Sequence, residues 1–276
     1  MQDISVKHIK IKKVGVHGIV ETEDQLAVEE PLEIQLKYGS KEKQIKKSIS
    51  VTMRTPGNDE ELAVGFLFTE GIILNKKQVI EVEPDVFEEN KITVKLSGNA
   101  APKLPTSERN FYTTSSCGVC GKSSIEAIKT VSIYQNDEDE ISIPADLFYT
   151  LQTKLARQQE VFQNTGGLHA SALFDLKGHF LMLREDVGRH NALDKVIGAS
   201  FLNENLPLKN VILLLSGRAS FELIQKASMA GIKIIAAIGA PSSLALQLAE
   251  NFGITLIGFL NNERFNIYSG SQRIVI

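Results

Sequence analysis

The chain has 276 residues, is 43% hydrophobic, and sets 30 basic against 33 acidic side chains for a formal net charge of -3. A chain of this length buries roughly three quarters of its unfolded surface, so its core needs no staples; the length predicts two domains, and the near-balanced charge excludes a general nucleic-acid footprint. The opening MQDISVKHIKIKK is charged too often for a secretory leader, and no stretch reaches the roughly eighteen uncharged apolar residues of a membrane span, so a cytoplasmic protein with neither nucleic acid nor membrane as partner is expected.

From about Val6 to Leu96 apolar residues alternate in short runs (IKIKKVGVHGIV, LEIQLKY, KSISVTM, KITVKLS), the period of half-buried antiparallel strands. One helix interrupts them: NDEELAVGFLFTEG offers Asn58 or Asp59 as N-cap, acids in its first turn, and Gly71 as its stop. The surface charges of this lobe read as ordinary solvation. Between about Ser97 and Ser116 the composition turns to Gly, Pro, Ser and Thr, which marks a connection. An N-terminal α+β domain over 1–110 and a C-terminal α/β domain over 111–276 are therefore expected, with a second break at 135–140. Beyond Pro144 the pattern reads helix, strand, turn at Gly178, strand, helix, and then strand and helix in alternation through the strands VILLLS and KIIAAIG to the strand ITLIGFL. Continuous apolar strands alternating with helices predict a largely parallel sheet covered on both faces.

The strongest chemical signal is SSCGVCGK at 115–122, which holds both cysteines of the chain, Cys117 and Cys120. Such a pair points to thiol chemistry rather than to a secreted disulfide scaffold. A thiol of pKa near 8.5 is only about three per cent thiolate at neutral pH. Ser123 and Glu126 have capping-box spacing, so a helix starting there would bring its positive end and Lys122 close to the sulfurs. A zinc half-site would need a second CxxC or a histidine pair, and neither is present. A thioredoxin-like pair would need a preceding strand, whereas a polar stretch precedes this one. A dithiol–disulfide oxidoreductase remains the rival to a sulfur carrier, and a nucleotide-binding scaffold with incidental cysteines is a third reading.

REDVGRHNALDK at 184–195 is the second signal. A helix starting near Gly188 would space Asp186, His190 and Asp194 one turn apart, with Leu193, Val196 and Ile197 as its buried stripe. Arg189 and His190 then stand at a strand-to-helix junction, where ligands of α/β sheets bind; a packed, hydrogen-bonded His190 is the plainer alternative. The loops SGRAS (Gly217, Arg218) and GAPSS (Gly239, Ser242) each follow an apolar strand and open a helix, so their N–H groups can meet an anion, although tight turns explain the glycines equally well. GGLHASALF carries His169 but has Ser171 where a zinc deaminase needs its proton-shuttling glutamate, which excludes deamination and leaves Gly166, Gly167 and His169 to line a pocket or to form a turn before a strand.

Taken together, TTSSCGVCGK, GGLHASALFD, EDVGRHNALDK, LSGRASFELIQKA and AAIGAPSSLALQLAE resemble the formate dehydrogenase accessory family FdhD/NarQ over nearly the whole chain. The resemblance implies an α/β fold whose three-layer C-terminal domain is like that of cytidine deaminases, and a homodimer. It implies a sulfurtransferase working through a cysteine persulfide: sulfur comes from a cysteine desulfurase and goes to bis-molybdopterin guanine dinucleotide before insertion into the formate dehydrogenase catalytic subunit. The persulfide falls on Cys117, with Cys120 assisting. The family's cofactor-binding segment falls on Phe259, Leu260, Asn261, Asn262, Glu263 and Arg264, where Arg264 is the only cation; the cofactor is a bound acceptor, and no catalytic metal belongs to the chain itself.

Overall fold

A computed structural model describes residues 4–85, 87–98, 100, 102–104, 134 and 140–276. Cys117, Cys120, the capping box at Ser123, the 110/111 boundary and all but Glu140 of the 135–140 break lie outside the described residues.

The alternating run from Ile9 to Val20 folds back on itself. Strands β1 (Val6–Gly15) and β2 (Gly18–Ala27) form a two-stranded antiparallel arm with Gly15 opposite Gly18. Next comes a four-stranded sheet in the order β4-β3-β6-β5, from β3 (Glu30–Gly39), β4 (Gln44–Arg54), β5 (Val79–Pro84) and β6 (Lys91–Leu96). The lobe is not wholly antiparallel as expected: β3 and β6 run parallel, because helix α1 (Asp59–Thr69) carries the chain across the sheet before β5. The cap reading also changes. Asn58 sits in the left-handed region at φ 58° with no side-chain cap bond, and Asp59 instead accepts from Arg54 Nε and Nη2 at 3.0 and 2.9 Å. Arg54, 3% exposed, also reaches Glu30 and Asn90, so part of the lobe's charge is internal structure rather than solvation. The helix ends as expected, with Gly71 at φ 72°.

The C-terminal half builds one six-stranded sheet in the order β13-β12-β11-β10-β8-β9. After a two-residue β7 (Ile143–Pro144), which lies outside this sheet, its strands are β8 (His169–Asp175), β9 (Phe180–Asp186), β10 (Val211–Leu215), β11 (Ile234–Ala237), β12 (Thr255–Gly258) and β13 (Asn266–Ser269). Only β10–β11 and β11–β12 pair parallel; β8 is antiparallel to both β9 and β10, and β13 to β12. The expected largely parallel sheet is thus mixed, since the tight turn at Gly178 (φ 75°) admits only an antiparallel neighbour. Helices α2 (Ala145–Ala156), α4 (Arg189–Leu202), α5 (Phe221–Met229) and α6 (Ser243–Asn251) flank it, joined by a short α3 (Glu160–Thr165) that the sequence pattern did not announce. Both faces are covered, as expected. Leu213 and Leu215 of β10 join the core shared with α4 and α5, while Ile212 and Leu214 join the one under α2 with Phe148 and Leu151.

The larger core is continuous from Leu32, Ile34 and Val94 of the first sheet, through Leu62 and Phe68 of α1, to Leu193 and Ile197 of α4. It closes because α1 and α4 cross at two glycines. A Cβ on Gly65 would fall 1.9 Å from the Asp194 carbonyl oxygen, and one on Gly198 would fall 1.8 Å from that of Glu61. Backbone meets backbone there, with no flexible side chain to give way. Gly198→Ala is expected to cost about 3 kcal/mol, the upper part of the overpacking range. The check is thermal denaturation beside Gly15→Ala, whose added Cβ meets nothing within 4 Å and should leave the melt unchanged.

Candidate functional site

Three loops converge at the carboxyl ends of β10, β11 and β12. Gly239 N–H donates to Gly217 O (3.0 Å), Ser242 N–H to Ala219 O (3.0 Å), and Phe259 N–H to Gly239 O (3.1 Å). The two loop glycines are there for close approach: a Cβ on Gly239 would lie 2.9 Å from Arg218 N, and one on Gly217 would lie 3.2 Å from His169 Nδ1. Arg218 is exposed. The Ser242 hydroxyl accepts from Ala245 N–H at 3.2 Å and so caps α6.

Strand β8 starts beside these loops, held by Ala170 N–H donating to Ser216 Oγ at 2.8 Å. This brings His169 against Arg189, His190 and Arg218. Partial burial, then the charges of Arg189, His190 and Arg218, push the His169 imidazole below its usual 6.5, with only Asp186 pulling the other way. A neutral imidazole therefore sits among guanidinium groups at the N-terminus of α4, whose dipole adds to the positive field. His190 is 5% exposed; its Nε2 lies 2.9 Å from Glu222 Oε2 and 3.2 Å from Ser220 Oγ. Burial raises the Glu222 carboxyl, but the His190 hydrogen bond and the charges of His190, Lys226 and Arg189 outweigh it and hold the group low.

Arg189 Nε, His190 Nδ1, Glu222 Oε1 and Ser171 Oγ are each buried with no hydrogen-bond partner among the described residues. An unmet buried polar atom costs about 1–3 kcal/mol, so several close together mark a place built for a polar ligand. The Arg189 and Arg218 guanidinium groups and the α4 N-terminus beside it suit an oxyanion such as a phosphate ester, with the Glu222 carboxylate left to accept from a donor on the same ligand. Among the described residues no three His, Cys, Asp or Glu side chains are grouped to hold a metal ion, and no helix is long and apolar enough to cross a membrane.

The remaining charges of the 184–195 motif do something else. Asp186, fully buried, pairs with Lys195 Nζ at 2.7 Å and accepts from the N–H groups of Thr55 (3.2 Å) and Gly188 (2.8 Å). Asn191 donates to Met53 O at 2.7 Å and accepts from Thr52 Oγ1 at 3.2 Å. Asp194 meets Lys226 Nζ at 2.8 Å and accepts from Thr69 Oγ1 at 2.9 Å. Besides the Asp186–Lys195 and Asp186–Gly188 contacts inside the motif and Lys226 on α5, these contacts reach β4, its continuation or α1. The expected turn-spaced trio of Asp186, His190 and Asp194 is thus split: Asp186 ends β9, Asp194 faces α1, and only Arg189 and His190 reach the sheet edge.

Phe259 takes φ 52° and is 45% exposed. Leu260 is buried in the core under α2. The Asn261 side chain accepts from the Glu263 and Arg264 N–H groups at 2.8 and 2.9 Å, closing a tight turn. Asn262 Oδ1 accepts from Thr153 Oγ1 at 3.2 Å, while Glu263 and Arg264 face solvent. Ser220 and Glu222 were not singled out in the sequence, and His169 stood there as a pocket or a turn. Only the GGLHA pattern hinted at His169, and nothing local to SFE foretold that Ser220 and Glu222 would meet a histidine some thirty residues earlier.

The chain matches the family model described as FdhD/NarQ family over residues 27–275. It is 43% identical over 277 residues to the sulfur carrier protein FdhD of Mycobacterium tuberculosis, covering 97% of this chain and 98% of that protein. It is 48% identical over 259 residues to that of Mycolicibacterium paratuberculosis, with 91% and 92% covered, and 40% identical over 273 residues to that of Thermoplasma volcanium, with 98% and 96% covered. A crystal structure from Desulfotalea psychrophila, described as a candidate formate dehydrogenase accessory protein, superposes with a TM-score of 0.75 at 25% identity, covering 98% of this chain and all of that one.

Three measurements check this geometry. His169 should titrate below 6.5 by NMR, and Arg189→Gln with Arg218→Gln should bring it part of the way back, since burial remains. Because the folded state holds this imidazole neutral, its contribution to stability is present above 6.5 and is lost as pH falls through the lowered folded value; His169→Asn should flatten that limb of the stability curve. Lys195→Met strands the buried Asp186 carboxylate and should cost about 3–5 kcal/mol in urea denaturation, part of it recovered by adding Asp186→Asn, which removes the charge and keeps an acceptor for the Thr55 and Gly188 N–H groups.

Proposed function

The chain belongs to the FdhD/NarQ family, and from that premise we propose that it is a sulfur carrier serving the maturation of formate dehydrogenase. The names of its relatives support the carrier role, and the proposed vehicle is a persulfide on Cys117, with Cys120 assisting. In loading, the Cys117 thiolate attacks the terminal sulfur of a cysteine desulfurase persulfide. The donor sulfur–sulfur bond breaks, its electron pair leaves on the donor thiolate, and a new one forms on Cys117, so no outside oxidant or reductant is needed.

The acceptor is bis-molybdopterin guanine dinucleotide, treated as substrate. The observation that carries this half of the reading is the set of unmet buried polar atoms on Arg189, His190, Glu222 and Ser171 beside Arg218. A pyrophosphate would give the Arg189 Nε–H an acceptor, at an α-helix N-terminus that favours anions. His190, held through Nε2 by Glu222, keeps a fixed ring orientation for whatever its Nδ1 meets. Phe259 and Arg264, exposed beyond β12, are available to the same ligand, whereas Leu260 and Asn261 serve by shaping the segment. A cytoplasmic location, a homodimer and delivery to the formate dehydrogenase catalytic subunit are parts of the same reading.

Incubation with a cysteine desulfurase and cysteine should add the mass of about one sulfur atom to the intact protein, and Cys117→Ala should abolish both that gain and formate dehydrogenase activity in cells lacking the native gene. A loss of two protons instead of the gain would make the chain a dithiol–disulfide oxidoreductase. Calorimetry of GDP against ADP tests the acceptor half separately: equal or absent binding would remove it and leave the carrier half standing.

A further inference from the structure

The hydrogen bonds around the candidate site leave one acceptor over. Glu222 stands in the first turn of α5, and its side chain is 15% exposed. Its Oε2 takes the His190 Nε2 proton at 2.9 Å, while Oε1 is buried and meets no donor among the described residues. The cation one turn further along the helix is already spent. Lys226 gives its N–H groups to Asp194 Oδ1 and Oδ2 and to Thr69 Oγ1, at 3.0, 2.8 and 2.9 Å. On the other side of the same pair His190, 5% exposed, keeps its Nδ1 without a partner among the described residues.

A carboxylate oxygen only accepts, so whatever completes Oε1 carries an N–H or an O–H. A phosphate oxygen placed against it would set anion against anion. The phosphate of a ligand therefore belongs across the imidazole, with Arg189, Arg218 and the α4 N-terminus. The two poles are close: Arg189 precedes His190 in the chain, Glu222 is bonded to the His190 ring, and the Arg189 charge is felt at the Glu222 carboxylate. In a nucleoside diphosphate the donors nearest the phosphates are the sugar hydroxyls, whereas the N–H groups of the base lie beyond the glycosidic bond. An acid that accepts from a ribose hydroxyl while a helix N-terminus holds the pyrophosphate is a division of labour that α/β sheets use for dinucleotides.

We infer that Glu222 accepts a hydrogen bond from a ribose hydroxyl of the ligand whose phosphate meets Arg189, so that this site tells a ribonucleotide from one lacking its sugar hydroxyls. This role for Glu222 rests on the nucleotide half of the proposed function and adds the residue that selects the sugar. The same negative charge disfavours an anion with no donor to offer, so it discriminates against free pyrophosphate while admitting a nucleotide.

The test is calorimetry of the full-length protein with GDP, 2′,3′-dideoxy-GDP and inorganic pyrophosphate. The wild type should bind GDP about tenfold or more tighter than the dideoxy compound, the effect of one hydrogen bond to a charged acceptor. In Glu222→Gln the amide oxygen still accepts from His190 and the amide N–H faces the ligand, so the difference between GDP and dideoxy-GDP should vanish, while pyrophosphate should bind more tightly than it does to the wild type. A side chain that served the fold alone would move all three ligands together. Should Glu222→Gln fail to fold, Glu222→Asp, which keeps the charge and withdraws the acceptor by one methylene, takes its place with the same loss of discrimination between the sugars. Equal binding of GDP and dideoxy-GDP by the wild type overturns the role given to Glu222 and leaves the nucleotide reading standing, and so does a sugar preference that survives in the variant. No binding of GDP at all removes the nucleotide reading and the role of Glu222 with it.

Discussion

The contact on which the rest of the fold depends is the crossing of α1 and α4 at Gly65 and Gly198. With side chains absent at both positions, each helix backbone presses on the other, and the leucines and phenylalanines on either side close into one core that runs from the four-stranded sheet to α5. The close approach also shortens the reach needed by the polar groups beside it. Asp186 and Lys195 can then bond the backbone of Thr55, and Asp194 and Lys226 can share Thr69. Burial pushes both carboxyls up. Such pairs add little net stability, but they fail badly if one partner is lost, so they fix a single seating of the first lobe on the second.

That seating is what aims the candidate site. Helix α4 is held by α1 along one side and by Asp186, Asn191 and Lys195 near its start, so its first turn cannot drift from the sheet edge. Arg189 and His190 stand at that turn, and His190 is pinned by Glu222 from α5. Rigid support surrounds a group of unmet polar atoms, the arrangement expected where a ligand rather than the protein completes the hydrogen bonding. Within twelve residues of sequence, therefore, the same motif supplies both the scaffold and the exposed chemistry.

Elsewhere the loop N–H groups expected to meet an anion are in part turned to one another, Ala219, Gly239 and Ser242 each donating to a carbonyl of the neighbouring loop. The loops after β10, β11 and β12 are tied to one another by backbone hydrogen bonds, with Arg218 and Phe259 among the groups facing outward and Ser242 and Asn261 shaping their own turns. A loop edge held this way is stiff, and stiff loops hold a small polar ligand at lower entropic cost than mobile ones.

The sequence by itself determined the elements of the C-terminal half other than α3 and β13, because apolar period and turn residues are local: Val211–Leu215, Ile234–Ala237 and Thr255–Gly258 all lie inside the strands read from VILLLS, KIIAAIG and ITLIGFL. It also marked two small-residue loops, SGRAS and GAPSS, each between a strand and a helix, and it put Arg189 and His190 at a strand-to-helix junction. Strand direction, the partners of buried charges and the need for Gly65 and Gly198 were decided only by the tertiary structure. Direction in β8 and β6 follows from what connects them to their neighbours, not from their composition. Asp194 finds Lys226 thirty-two residues on and Thr69 a hundred and twenty-five back, and a glycine inside a helix looks the same in sequence whether it faces water or another backbone. Glu222 and Ser220 entered the site for that same reason: the packing of α5 against α4, a property of no single segment, is what brings them to His190.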